Sequence, residues 1–117
     1  MQKERLNESS PLGEGQLEAA AKLFKTLSEP ARLRLLSTLM SGGLTVGELV
    51  FETEMKQGNV SKHMKILLDA DLVSRVKEGN FVRYSIIDPM ISELCKLVCT
   101  QTEKSAQTKL ERLQDGD

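Results

Sequence analysis

Between Gln57 and Leu72 the chain reads QGNVSKHMKILLDADL, and its first nine residues bring together six hydrogen-bonding side chains: Gln57, Asn59, Ser61, Lys62, His63 and Lys65. Carboxamides can pair with adenine edges, and lysines with guanine or phosphate, so this set suits the floor of a DNA major groove. Val60, Met64, Leu67, Leu68 and Leu72 recur at gaps of three and four among them. That spacing predicts an α-helix with one apolar stripe and an opposite polar, positive side. His63 stands at the edge of the stripe. It suits either a DNA contact or a helix-packing position with one ring nitrogen hydrogen-bonded. Taken alone, the stretch equally describes an ordinary amphipathic helix with a solvated face, so the flanking elements decide.

A second pair with chemistry is Cys95 and Cys99, four residues apart. On a helix both point the same way. Such cysteines serve as small apolar packing residues, or chelate a soft ion such as As(III), Cd(II) or Cu(I). Catalysis finds no support. There is no glycine-rich phosphate loop and no carboxylate pair in a plausible cleft, and the single His has no nucleophile beside it. The chain is expected not to be an enzyme.

These residues need a frame. Residues 1–15, with Ser9-Ser10-Pro11 and Gly13-Glu14-Gly15, are expected to form a flexible arm. A helix is expected from about Gln16, with Leu17, Ala20, Ala21, Phe24 and Leu27 at helical spacing. Ser28 can cap a second helix with Pro30 in its first turn. In that helix Leu33, Leu36, Leu39 and Met40 are expected inward, with Leu35 on the flank. Thr45 and Glu48 match a capping box for a short third helix ending near Thr53. Glu54, Met55 and Lys56 then turn into Gln57, which makes a helix-turn-helix. Beyond Leu72 the period changes to two over Val73–Lys77 and Phe81–Ile86. A hairpin with a three-residue turn, Glu78-Gly79-Asn80, is expected. Arg75, Lys77, Asn80 and Arg83 would mark its exposed face and tip. Asp88 and Pro89 open a last helix through Ile91, Leu94, Cys95, Val98 and Cys99, and residues 101–117 continue it or form a polar tail.

At 117 residues one domain is expected, with residues 16–100 as its body. Three Phe, one Tyr and no Trp favour helices over a β-sandwich. No apolar run approaches the roughly 20 residues of a membrane span, and the N-terminus lacks a signal-peptide core. A cytoplasmic protein with reduced cysteines is expected. Net charge is only −1, but residues 56–83 hold six bases and three acids while the remainder is acidic. Positive charge confined to one segment is what a nucleic-acid-facing surface requires. A winged helix serving as a protein-interaction module is the alternative, and that patch argues against it.

The order α-α-α-α-β-β-α, mainly helical with a two-stranded wing, resembles the ArsR/SmtB family of winged helix-turn-helix bacterial transcriptional regulators. The resemblance runs from about Leu17 to Cys99. LFKTLSEPARLRLLSTL, LTVGEL, NVSKHMKILLDADLV and VKEGNFVRYSI carry it, in order and correctly spaced. Three positions depart from the family's habit. Glu54 stands where a turn Gly is frequent, Lys56 where a Ser cap is frequent, and Asp71 where Gly follows the recognition helix. Asp tolerates the left-handed conformation better than most residues.

The resemblance implies a homodimeric repressor, paired through first and last helices and reading palindromic double-stranded DNA. Apolar stripes on both terminal helices support the pairing. Gln57, Asn59, Ser61, Lys62 and His63 would enter the major groove. Lys56, Lys65, Lys77 and Arg83 would hold phosphates, and Asn80 would lie near the backbone or minor groove. The family's common metal sites look lost. The third helix has no Cys, Met90 replaces a His after Asp88, and there is no second His, whereas zinc takes about four ligands. Redox-sensing relatives pair a last-helix Cys with one in the second helix, where this chain has Ser37. A bridge between subunits, or a soft ion at Cys95 and Cys99, stays open.

Overall fold

The computed structural model describes residues 12–115. The helices are α1 (Glu14–Leu27), α2 (Pro30–Leu39), α3 (Val46–Thr53), α4 (Gln57–Asp69) and α5 (Pro89–Asp115). The strands are β1 (Leu44–Thr45), β2 (Val73–Glu78) and β3 (Phe81–Ile86). The expected arm falls largely outside the described residues, and its last two positions, Glu14 and Gly15, are already helical. The last helix does not stop at Gln101: it runs unbroken for 27 residues, about 40 Å at 1.5 Å per residue.

α1 opens with the Gln16 carboxamide accepting the Gly13 N–H at 3.0 Å. Ser28 does not cap α2 as expected. Its hydroxyl donates to the Lys25 carbonyl at 2.7 Å and so closes α1. Glu29 is the N-cap of α2, without a side-chain cap bond, and Pro30 starts the helix. Pro needs no partner for its missing N–H there. The buried face of α2 is Leu35, Leu36 and Leu39, while Leu33 is exposed. Leu36 and Leu39 face inward as expected, but Leu35 is buried in place of Leu33, because in a ten-residue helix several leucine rows satisfy a 3.6-residue period. Packing against α3 and α4 selects one of them.

The core unites Leu35, Leu36 and Leu39 with Leu49 of α3, Val60, Met64 and Leu67 of α4, Val73, Tyr84 and Ile91. The hairpin has a two-residue turn rather than three, since Glu78 pairs directly with Phe81. Gly79 takes φ +62 and Asn80 does not join it, the pattern of a tight II′-like hairpin turn. The wing also gains a strand. β1 pairs antiparallel with β3, giving the sheet order β1-β3-β2. Gly43 permits this approach, because a Cβ there would lie 2.5 Å from the Ser85 hydroxyl and 3.1 Å from the Tyr84 carbonyl oxygen.

Among the described residues two non-glycines adopt left-handed backbone: Glu54 at φ 59 and Asp71 at φ 60. Both end helices, where a left-handed residue lets its N–H close the last turn; Glu54 N donates to the Val50 carbonyl at 2.9 Å. Left-handed backbone costs an ordinary residue roughly 1–2 kcal/mol. Gly avoids that cost but loses roughly 0.5–1 kcal/mol more chain entropy on folding. Glu54→Gly is therefore expected to stabilise the fold by about 0.5–1 kcal/mol. Denaturant melts at fixed protein concentration read this directly; a destabilised variant would mean the Glu54 side chain itself supports the turn.

Candidate nucleic-acid interface

The helix-turn-helix begins at a closed capping box. The Thr45 hydroxyl accepts the Glu48 N–H at 3.2 Å, and the Glu48 carboxylate accepts the Thr45 N–H at 3.0 Å. These bonds, followed by Arg83, hold the Glu48 carboxyl below the usual carboxylate range. At the far end of α3, buried Thr53 donates its hydroxyl to the Leu49 carbonyl at 2.6 Å and accepts the Met55 N–H at 3.3 Å. The turn is thus pinned on both sides before α4 starts. Lys56 is the N-cap of α4 and gives no side-chain cap bond. The first N–H groups of α4 therefore receive no side-chain cap from Lys56, and Lys56 and Gln57 are both exposed.

α4 buries Val60, Met64 and Leu67 completely. At 100° per residue, Lys62 then stands on the crest opposite the core. Ser61 and Lys65 occupy one shoulder, Asn59 and His63 the other, and Gln57 projects from the N-terminal turn. All are exposed except His63, which is half-buried. Lys65 is partly neutralised by Asp69 at 3.5 Å.

His63 is tied inward. Its Nδ1 lies 3.4 Å from Nη1 of Arg32, whose Nε donates to the Thr26 carbonyl at 2.6 Å. Burial first, then the Arg32 and Lys62 charges, push the His63 pKa down. The ring is accordingly neutral near pH 7, with Nδ1 free to accept from Arg32. One arginine of α2 so connects the last turn of α1 to the flank of α4. Nothing local in the sequence marks this partner of Arg32, which lies 31 residues away.

The wing sorts its charges by face. In the register Val76↔Arg83 and Lys77↔Val82, side chains alternate. Lys77 and Arg75 share the Tyr84 side, and Arg83 lies on the other with Val76, Glu78 and Phe81. The single exposed face assigned to Arg75, Lys77 and Arg83 together is therefore corrected. Lys77 and Asn80 are exposed. Arg83 is not a free cation. Its Nε donates to Glu78 at 3.0 Å, and its Nη1 donates to the Gly43 carbonyl at 2.9 Å and to Glu48 at 3.3 Å. Glu78, then Glu48, raise its pKa further.

On α5, Cys95 is half-buried at the margin of the core and Cys99 is exposed. Burial, and secondarily the neighbouring Cys99, raise the Cys95 pKa. Among the described residues no group of three or more His, Cys, Asp or Glu side chains is arranged to hold a metal ion. No helix among them is long and apolar enough to cross a membrane.

The profile of bacterial regulatory proteins of the arsR family matches residues 29–75, from the start of α2 into the first strand of the wing. A Streptomyces lividans protein named "Probable mercury resistance operon repressor" is 33% identical over 90 residues, spanning 76% of this chain and 72% of that protein. The crystal structure of the AntR antimony-specific transcriptional repressor is 31% identical, with a TM-score of 0.75 over 84% of this chain and 89% of that one. The homodimeric winged helix-turn-helix DNA-binding domain of Mb0332 from Mycobacterium bovis is 26% identical, with a TM-score of 0.68 over 75% of this chain and 82% of that one. With its pinned helix-turn-helix, its wing and these relatives, the chain belongs to the arsR family of bacterial regulatory proteins and is a winged helix-turn-helix, DNA-binding transcriptional regulator.

Proposed function

We propose that the protein is a homodimeric repressor that reads a palindromic operator and is released from it by thiophilic species acting at Cys95 and Cys99. The observation that carries the DNA reading is the division of α4, whose apolar residues Val60, Met64 and Leu67 are wholly buried while its polar and cationic face is exposed. In this reading Gln57, Asn59, Ser61 and Lys62 meet base edges. Lys56, Lys65 and Lys77 meet phosphates, and Asn80 lies at the wing tip. His63 holds the flank of α4 through Arg32.

The terminal helices support pairing of two copies. Leu17 and Phe24 of α1, and Leu97, Val98, Leu110 and Leu113 of α5, are exposed in the single chain. The Cα radius of gyration is 18.6 Å, against about 13 Å for a compact chain of roughly this length. A second copy would cover these faces and place two α4 helices one or two DNA turns apart. Cys99 would meet a thiol reagent first, with Cys95 one turn behind it. The relatives named for mercury and antimony favour a soft-ion signal, and two thiols per chain would supply four in the dimer.

A mobility shift tests this with the DNA upstream of its own gene. The wild type, Cys95→Ser and Cys99→Ser are each run reduced and oxidised, and with As(III) or Cd(II). The reduced wild type is expected to shift the duplex, and As(III) or Cd(II) to release it only when both cysteines are present. Failure to shift any duplex would overturn the DNA assignment of α4. Release that persists in both serine variants would move the signal off the cysteines.

A further inference from the structure

Arg83 sits in the central strand of the wing, opposite Val76 of β2 and Thr45 of β1. Its guanidinium is shared among three elements: the Gly43 carbonyl before β1, the Glu48 carboxylate in the first turn of α3, and the Glu78 carboxylate at the end of β2. Glu48 accepts the Thr45 N–H with the same oxygen, Oε1, that meets Arg83. The capping box of the helix-turn-helix and the tip of the wing are therefore joined through one side chain. Gly43 shows how close this joint is, since a Cβ there would also lie 3.2 Å from Cγ of Arg83.

The electrostatics point away from a phosphate contact. Two carboxylates flank one guanidinium, so an approaching phosphate meets no surplus positive charge at this spot. Nε and Nη1 of the planar fork already point their donors at protein acceptors. Lys77 and Asn80, by contrast, are exposed, and Lys77 forms no ion pair among the described residues. Their reach toward DNA depends on the pitch of the wing, and Arg83 is the group that ties this pitch to α3.

We propose that Arg83 is a positioning residue that clamps the wing to the helix-turn-helix and itself binds no phosphate. This rests on the DNA reading of α4 and the wing given above. The clamp lets Lys77 and Asn80 engage DNA in the same encounter as α4. Its ion pairs are half-exposed, with side-chain accessibilities of 36% for Arg83 and 49% and 52% for its partners, so they add little to global stability. Their effect is on the wing's angle.

Arg83→Lys and Arg83→Gln separate a clamp from a contact. Lys keeps the charge but cannot reproduce the fork. Both variants are expected to fold, with near-wild-type melts, and to bind operator about three- to tenfold more weakly. In both variants the slope of log affinity against log salt is expected to fall by about 0.9, because the loosened wing gives up the phosphate contact of Lys77. Lys77→Ala is expected to cost less in the Arg83→Gln background than alone, because an unpinned wing no longer delivers Lys77.

Wild-type affinity and wild-type slope in Arg83→Lys, with both lowered only in Arg83→Gln, would make Arg83 a phosphate ligand and overturn the clamp. Amide hydrogen exchange in the free protein reads the clamp without DNA. Exchange is expected to quicken in β1 and β3 of both variants and to stay unchanged in α4. Unchanged wing exchange would overturn the clamp even if binding fell. A wild type that shifts no duplex, while wing exchange still quickens in the variants, would overturn the DNA reading and leave the clamp standing.

Discussion

Leu67→Ala is expected to lower the free energy of unfolding by about 3 kcal/mol, within the roughly 2–5 kcal/mol typical of a buried Leu reduced to Ala. Leu67 is completely inaccessible and lies on α4, packed in the core formed with α2 and α3. Removing its branched end costs the transfer energy of the lost carbons and leaves a cavity that three rigid helices cannot collapse. Domains of this kind have roughly 5–15 kcal/mol in hand, so the variant should still fold at 25 °C. Its melting point should drop by roughly 10–15 °C. The measurement is a denaturant titration at fixed protein concentration, since a dimer's apparent stability shifts with concentration. The midpoint should fall with the slope unchanged. The exposed Phe51, at 81% accessibility, is the control; Phe51→Ala should move stability by no more than about 0.5 kcal/mol. A loss below 1 kcal/mol for Leu67→Ala would mean that α4 is not held by this core.

The second large effect concerns what α4 presents. Asn59→Ala and Gln57→Ala are each expected to cost about 1–3 kcal/mol of discrimination between operator and altered sites, the worth of one good base contact. Lys62→Ala should instead weaken every duplex alike and lower the salt slope by about 1. The geometry sets these different roles. Lys62 stands on the crest and makes no side-chain hydrogen bond or ion pair among the described residues, whereas Lys65 leans on Asp69 at 3.5 Å. Asn59 and Gln57 carry carboxamides that read adenine when they meet it edge-on. Competition binding against operator variants over a range of salt separates the two behaviours. Unchanged specificity in both carboxamide variants, or unchanged affinity in Lys62→Ala, would mean that another face of the protein meets DNA.

Much of the frame was legible because it rests on short-range rules. The stripe Val60, Met64 and Leu67 needed only the helical period. The Thr45–Glu48 box needed residues three apart, and it closes as expected. Asp71 sits after α4 in the left-handed conformation that its short polar side chain tolerates. The hairpin followed from its period of two, although its turn proved one residue shorter. The polar face of α4 was legible too, since burying one side of an amphipathic helix exposes the other.

What escaped the sequence is what only chain closure brings together. β1 is two residues long and has no period to detect. It exists because Gly43 lets β3 pass close by. The choice of Leu35 over Leu33 as a core residue depends on which side of α2 meets α3 and α4. Arg83 looked like one more cation on the wing, but its partners Glu48 and Gly43 lie 35 and 40 residues away. Arg32 meets His63 across 31 residues. Local order determines which side chains face out, because backbone geometry sets the period. Which exposed charges remain available for DNA was decided by tertiary structure, because a guanidinium is committed by whatever carboxylates the fold brings within 3–3.5 Å of it.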